Sequence, residues 1–162
     1  MKKFILTDET IEMFGVTLHR IKAVRSFGNV KEGDLGGFVE KEENISEDFE
    51  AWVSGNARVS GNARVSGDAI VSGNAKVWGN AIVSGDADYI VFKNWWSSGR
   101  YFTWTRSNNM WSVGCFYGTG EELIKKAYAD SEKSGREYER VVKFVQSILE
   151  DEKNDNNQEK HV

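Results

Sequence analysis

Residues 51–87 read AWVSGN ARVSGN ARVSGD AIVSGN AKVWGN AIVSGD A, which is six units of six residues without insertion or deletion. Each unit begins with alanine and has valine at its third place and glycine at its fifth. The alanine and the valine share one face of a short strand because side chains alternate along a strand, and the Gly-Asn or Gly-Asp pair tolerates the backbone of a tight corner. A helix is excluded, since its apolar period is about 3.6 residues and glycine recurs too often. The repeat predicts a coil of strands and corners.

The units V-S-G-N-A-R and their variants resemble the hexapeptide repeat of left-handed parallel β-helices, in which three hexapeptides form one triangular coil. The resemblance implies that alanine and valine point into a narrow prism and that neighbouring coils pair through parallel ladders about 4.8 Å apart. A coil of three units predicts three stacked pairs of outward residues: Trp52 with Ile70, Arg58 with Lys76, and Arg64 with Ile82.

A third coil is predicted upstream of the repeat. Val39 and Ile45 are six residues apart, as in the repeat, whereas Ile45 and Val53 are eight apart. The difference predicts a two-residue bulge near 46–48. Three coils meet the minimum of about three units that stacked repeats need for stability.

The remaining segments predict caps, because a stack of coils exposes strand edges and apolar interior at both ends. The chain divides into four predicted parts: an N-terminal β cap at 1–32, the left-handed β-helix at 33–88, an aromatic β-hairpin with a two-helix module at 89–150, and a disordered tail at 151–162. The predicted fold is mainly β, a left-handed parallel β-helix of about three coils with an N-terminal β cap and a C-terminal β-hairpin plus αα-hairpin.

Aromatic residues concentrate in 88–118, which holds ten of the 20 in the chain. Strands at 101–105 and 111–117 predict a hairpin whose two faces cannot both be fully buried in so small a module, with Cys115 inside a buried strand. Two helices follow, with capping boxes that start at Thr119 and Ser134.

Composition excludes several classes of protein. One cysteine and two histidines, His19 and His161, supply no disulfide framework, and we expect no metal and no cofactor. No run approaches the roughly 20 apolar residues of a membrane span, which predicts a cytoplasmic protein that binds no membrane. The net charge of -4 argues against duplex DNA, whose binding needs many Lys and Arg contacts to phosphate.

Acidic residues concentrate in 32–50, which holds eight acids against one lysine. The run is either a solvated face or a docking strip for a basic partner. The strip consists of Glu40, Glu42, Glu43, Glu47 and Asp48.

Outward apolar residues on the coil predict self-association, since an exposed apolar side of a polar prism needs a cover. The cover is either the C-terminal segment or a second copy of the chain. We expect a homo-oligomer, a trimer in preference to a dimer, formed through Trp52, Ile70, Trp78 and Ile82.

Aromatic and arginine residues of the C-terminal module predict a second surface, because these residue types dominate interface energies. Trp95 and Trp96 cannot both point inward along an extended chain. The alternative is that the aromatic residues only cap the coil. The predicted partner or ligand site consists of Trp95, Trp96, Arg100, Tyr101, Trp104 and Arg106.

A larger pattern spans roughly residues 4–150. LHRIKAVRSFGNVKEGDLGGFVEKEENIS, the AWVSGNARVSG repeats and VGCFYGTGEELI resemble a group of β-helical proteins carried by bacteriophages, prophages and their hosts. The resemblance implies a small phage-borne protein that binds a host component, including components of antiviral defence.

Three functions are compatible with these patterns. Hexapeptide acyltransferases use a histidine base beside a projecting loop, and residues 51–87 have neither, so a degenerate acyltransferase is a remote alternative. Sequestration of a small anionic, nucleotide-like ligand between subunits is the second alternative, with Trp or Tyr stacking on a base and Arg58, Arg100 or Arg106 pairing with phosphate. The main prediction is a non-enzymatic protein that occupies and modulates a host macromolecule.

Overall fold

The computed structural model describes residues 2–159, which form thirteen strands, two α-helices and two short 3-10 helices at Glu42–Asn44 and Asp86–Asp88. The strands are β1 (Phe4–Met13), β2 (Val16–Ala23), β3 (Leu35–Val39), β4 (Trp52–Val53), β5 (Arg58–Val59), β6 (Arg64–Val65), β7 (Ile70–Val71), β8 (Lys76–Val77), β9 (Ile82–Val83), β10 (Tyr89–Lys93), β11 (Tyr101–Thr105), β12 (Met110–Val113) and β13 (Phe116–Gly118). The helices are α1 (Gly120–Asp130) and α2 (Glu132–Glu159). His161 lies outside the described residues.

The repeat forms a β-solenoid whose strands pair in parallel ladders. The observed pairs confirm the predicted stacking: Trp52 with Ile70, Arg58 with Lys76, and Arg64 with Ile82. The alanines and valines of all six units are buried and form one continuous core. Each corner is a Gly-Asn or Gly-Asp pair, and five of these glycines, from Gly55 to Gly79, have positive φ.

The upstream coil confirms the predicted bulge. Val39 of β3 lies opposite Val59, and Ile45 forms an isolated bridge with Val65. In each of these pairs the two residues are two positions further apart in sequence than Trp52 and Ile70 are. The extra residues therefore lie between Ile45 and Trp52.

The N-terminal cap is one hairpin of β1 and β2, closed by a turn at Phe14 and Gly15, both with positive φ. β1 is one continuous strand, and its pairing with β2 shifts register between Leu6 and Thr10. β2 pairs with β3, so the hairpin extends one ladder of the solenoid.

The C-terminal module is a four-stranded antiparallel sheet, β10 to β13, with α1 and α2 on one side. Phe102 and Trp104 pack toward the helices, while Thr103 and Thr105 are also buried. The sheet lies between the helices and the last coil of the solenoid, which buries Thr103 and Thr105, while Tyr101 on the same face is 41% exposed. The two faces are therefore not both fully buried, as predicted. Cys115 is exposed in the turn between β12 and β13, so its prediction as a buried strand residue is wrong.

Backbone N–H groups at the free edge of the last coil are bonded to side-chain oxygens of this module. The Oγ1 of Thr103 accepts from the N–H of Lys76 (2.9 Å), and the Oγ of Ser107 accepts from that of Ile82 (2.7 Å). The hydroxyl of Tyr89 accepts from the N–H of Ser72 (3.3 Å). These bonds replace those that another coil would make.

The two helices differ in how far they match the prediction. Thr119 and Glu122 form the predicted capping box of α1. The predicted start at Ser134 is wrong, because α2 begins at Glu132 and Ser131 accepts the N–H of Ser134 (3.1 Å).

Residues 151–159 are helical, which corrects the predicted disordered tail over that range. The buried stripe of α2 that includes Val142 and Val145 holds the helix against the sheet, and extending a helix that is already formed costs little. Within residues 2–159, neither helix combines the length and the apolar run needed to span a membrane.

Candidate functional site

The six residues predicted to bind a partner do not form one surface. Trp104 is fully buried in the core of the C-terminal module, and its Nε1 donates to Asn109 (2.8 Å). The Nε of Arg106 donates to the carbonyl of Ala87 (2.9 Å), and its guanidinium forms an ion pair with Glu152. The structure therefore corrects the prediction for Trp104 and uses Arg106 to hold the module together.

Trp95 and Trp96 lie at the tip of the β10–β11 loop and point in different directions. Trp95 is 67% exposed, with the Nζ of Lys133 5.9 Å from its ring centre. Trp96 packs edge-on against Tyr138, with ring centres 4.8 Å apart. Asn94 is buried and fixes the loop, because its Oδ1 accepts the N–H of Ser97 (2.9 Å) and its Nδ2 donates to Tyr138 (3.1 Å).

The four residues predicted to mediate self-association are covered to different extents. Trp52 is buried beneath Phe27 of the N-terminal segment, and Trp78 is half-buried against Phe14. Ile70 and Ile82 are 42% and 51% exposed but belong to different ladders. The prediction of one shared apolar face is therefore wrong, because the chain's own N-terminal cap covers both tryptophans.

Three acids of the predicted docking strip hold the fold together. Glu40 accepts the N–H of Gly61 (2.6 Å), Glu47 accepts the N–H of Lys3 (2.6 Å), and Glu42 pairs with Lys2 (2.9 Å). The other two, Glu43 and Asp48, are exposed. Three of the five strip residues are thus bonded within the chain, while Glu42, Glu43 and Asp48 remain exposed.

A cluster of positive charge lies where the solenoid meets the C-terminal module. Arg58 and Lys76 stack on adjacent coils of one ladder, and the β10–β11 loop brings Arg100 and Tyr101 over them. Together they line a cavity of about 210 Å³, which we name the cationic cleft. It is lined by Asn56, Arg58, Asn74, Lys76, Arg100 and Tyr101.

Positive charge is concentrated in the cationic cleft, and it perturbs the titration of Lys76. Burial, together with the charges of Arg58 and Arg100, lowers the pKa of Lys76 below its usual value of 10.5. Among residues 2–157, no carboxylate lies within 4 Å of these three cations. The one side-chain hydrogen bond from Arg58 goes to the sulfur of Met13 (3.4 Å), which is a weak acceptor.

Sequence reasoning found part of this site. It stacked Arg58 with Lys76, named Arg100 and Tyr101 as binding residues, and gave Arg58 and Arg100 as alternative phosphate partners in a pocket between subunits. It did not predict that they meet within one chain. Asn56 and Asn74 were missed as site residues. The available signal was the 18-residue spacing of these asparagines, which places them one above the other beside the stacked cations.

Other residues with reactive side chains lie elsewhere. The Nδ1 of His19 is 3.2 Å from the carbonyl of Thr7 within the N-terminal hairpin. Residues 2–159 contain no group of three or more His, Cys, Asp or Glu side chains placed to hold a metal ion.

Comparison with known families identifies the repeat. Three overlapping segments, 51–65, 57–73 and 63–77, match the family model of the YdcK beta solenoid repeat. All three lie within β4 to β8, which agrees with the parallel ladders seen there. The chain has no significant match among curated proteins.

Proposed function

We propose that this chain is a non-enzymatic binding protein that holds a small anionic ligand in the cationic cleft. The proposal is supported by the convergence of Arg58, Lys76 and Arg100 on one cavity, with no carboxylate of residues 2–157 within 4 Å of them. The three positive side chains repel one another in the shared cavity. A bound anion attracts each of them, and this attraction offsets their mutual repulsion. The amides of Asn56 and Asn74 supply further hydrogen-bond donors.

Calorimetric titration with inorganic phosphate at low ionic strength tests the proposal. Arg58→Gln and Lys76→Gln should each weaken binding at least about tenfold, which corresponds to about 1.4 kcal/mol. Arg64→Gln is the matched control, because Arg64 occupies the same place in its repeat unit but lies on another ladder. The proposal fails if the wild type binds no phosphate, or if Arg64→Gln weakens binding as much as Arg58→Gln.

A macromolecular partner is the second candidate function, and the exposed Trp95 favours it. The loop that carries Trp95 is fixed by Asn94, so little side-chain and loop entropy is lost on binding. A phage-borne protein that modulates a host component would use such an anchor. Trp95→Ala should abolish capture of that component from a host lysate, while Phe49→Ala, which removes another highly exposed aromatic residue, should leave it unchanged. Equal capture by both variants would exclude Trp95 as the anchor.

Self-association remains a proposal for the two exposed isoleucines. Ile70→Glu and Ile82→Glu should each reduce the subunit count in native mass spectra if a trimer or dimer forms through their faces. An unchanged count in both variants would exclude those faces. We also propose that the solenoid winds left-handed and that its repeat is of the hexapeptide type, because the repeat resembles that of left-handed β-helices. A phage origin is proposed from the resemblance to phage-borne β-helical proteins. A cytoplasmic location is proposed as well.

A further inference from the structure

A second cavity adjoins the cationic cleft. It is a groove of about 660 Å³ beside β10, and its walls include Asn74, Tyr89, Val91, Lys93, Tyr101 and Asp86. Asn74 and Tyr101 line both cavities, so the cleft and the groove lie side by side and share these two walls. The cleft alone is smaller than the roughly 300–1,000 Å³ of ordinary ligand sites, whereas the two together fall within that range.

Tyr101 stands between the two cavities with its ring accessible. It is 41% exposed at the start of β11, and its hydroxyl makes no hydrogen bond with residues 2–157. Tyr89 differs, because its hydroxyl donates to the carbonyl of Ile70 (2.9 Å) and accepts the N–H of Ser72. Tyr89 is therefore a fixed wall of the groove, whereas Tyr101 has a ring free to stack on a ligand.

The charges differ between the two cavities. Three cations line the cleft, while the groove has one lysine, Lys93, and one carboxylate, Asp86, which forms no ion pair within residues 2–159. A carboxylate beside an aromatic wall accepts hydrogen bonds from amino groups and disfavours a second anionic group. The cleft thus suits an anionic head, and the groove suits a planar body that carries N–H groups.

We propose that the ligand is a nucleotide, with its phosphate in the cationic cleft and its base stacked on Tyr101 in the groove. This inference rests on the proposed anion-binding function and specifies its ligand class. Stacking of a base on an aromatic side chain contributes about 1–3 kcal/mol, which is roughly a 5- to 150-fold gain in affinity. A phosphate ester without a base should lack that gain.

Titration with AMP and with ribose 5-phosphate tests the inference, because the two probes share the phosphate and the sugar. We expect AMP to bind the wild type at least about fivefold more tightly than ribose 5-phosphate. Tyr101→Ala should remove this difference, whereas Tyr101→Phe should retain it. Phe49→Ala serves as the control for loss of an exposed aromatic ring.

The outcomes separate the two proposals. Equal binding of AMP and ribose 5-phosphate by the wild type would overturn the nucleotide inference and leave the anion-binding function standing. A preference for AMP that survives in Tyr101→Ala would overturn the assignment of the base to Tyr101. Failure of both probes and of inorganic phosphate to bind would overturn the proposed function itself.

Discussion

Lys3 is a charged residue held inside the N-terminal end of the solenoid. Its side chain is fully buried, and its Nζ donates to the carbonyl of Ala51 (2.6 Å). Burial lowers the pKa of Lys3 from 10.5 to about 8, although Glu47 acts in the opposite direction. The folded chain therefore releases this proton at a lower pH than the unfolded chain does.

We expect Lys3 to make the folded state more stable at alkaline pH. Between about pH 8 and 10.5 the unfolded state binds more protons at this residue, so its contribution to the free energy of unfolding rises with pH. The rise is at most on the order of 3 kcal/mol. Urea unfolding of the wild type and of Lys3→Met at about pH 7 and pH 10 measures it as the difference between the two profiles.

Lys2→Met is the matched control for this experiment. Lys2 is exposed, and its hydrogen bond to Glu42 raises its pKa, so it gives no stabilisation that grows over the same interval. Parallel pH profiles for the wild type and Lys3→Met would contradict the prediction.

The free edge of β8 depends on one hydroxyl. Thr103 is fully buried, and its Oγ1 is the hydrogen-bond acceptor for the N–H of Lys76 where a further coil would supply a carbonyl. An unpaired edge is a template for association with another strand, and a buried donor without a partner is unfavourable.

Removing the hydroxyl of Thr103 should destabilise the edge of β8 more than removing the methyl group of Thr103. Thr103→Val leaves the Lys76 N–H without its acceptor and should cost about 1–3 kcal/mol in chemical unfolding. Thr103→Ser keeps the hydroxyl and should cost less. Equal losses in the two variants would show that packing of the methyl group, not edge capping, explains the role of Thr103.

Two serines near the start of α2, Ser131 and Ser134, have different roles. The Oγ of Ser131 accepts a hydrogen bond from the backbone N–H of Ser134. The Oγ of Ser134 accepts one from the Nε1–H of Trp96 (3.2 Å). Ser131→Ala should therefore reduce the free energy of unfolding by about 1 kcal/mol through loss of the cap, and Ser134→Ala by less. Chemical unfolding of both variants measures the two values, and a larger loss for Ser134→Ala would restore the start predicted from sequence.

Residues 2–159 form three hydrophobic clusters: one inside the solenoid, one between the C-terminal sheet and its helices, and a smaller one around Met13, Leu18 and Phe38. In the cationic cleft, Arg58 and Lys76 belong to the solenoid, and Arg100 belongs to the C-terminal module. A ligand bound there contacts both units, so its binding free energy should add to the stability of the intact molecule.

We expect phosphate to stabilise the wild type against thermal unfolding. At about 100 times its dissociation constant, a ligand specific for the folded state contributes about 2.7 kcal/mol. Arg58→Gln should lose most of this stabilisation at the same phosphate concentration, while Arg64→Gln should keep it. Equal stabilisation of the wild type and Arg58→Gln would indicate a nonspecific effect of the salt.

Local pattern and covalent spacing determined much of the molecule. The six-residue repeat predicted the stacked pairs, and the eight-residue step from Ile45 to Val53 located the bulge. The Thr119 capping box predicted the start of α1. These features were readable because strand alternation, corner geometry and helix capping depend on residues within one unit or one turn.

Only the tertiary structure decided which outward residues are covered and which converge. Phe27 lies over Trp52, the last coil buries Thr103, and the β10–β11 loop brings Arg100 to Arg58. These contacts join segments that are far apart in the chain, and no period relates their sequences. Sequence thus determined the ladder that carries Arg58 and Lys76, whereas the cleft exists only because the packing of the C-terminal module on the last coil places a third cation beside them.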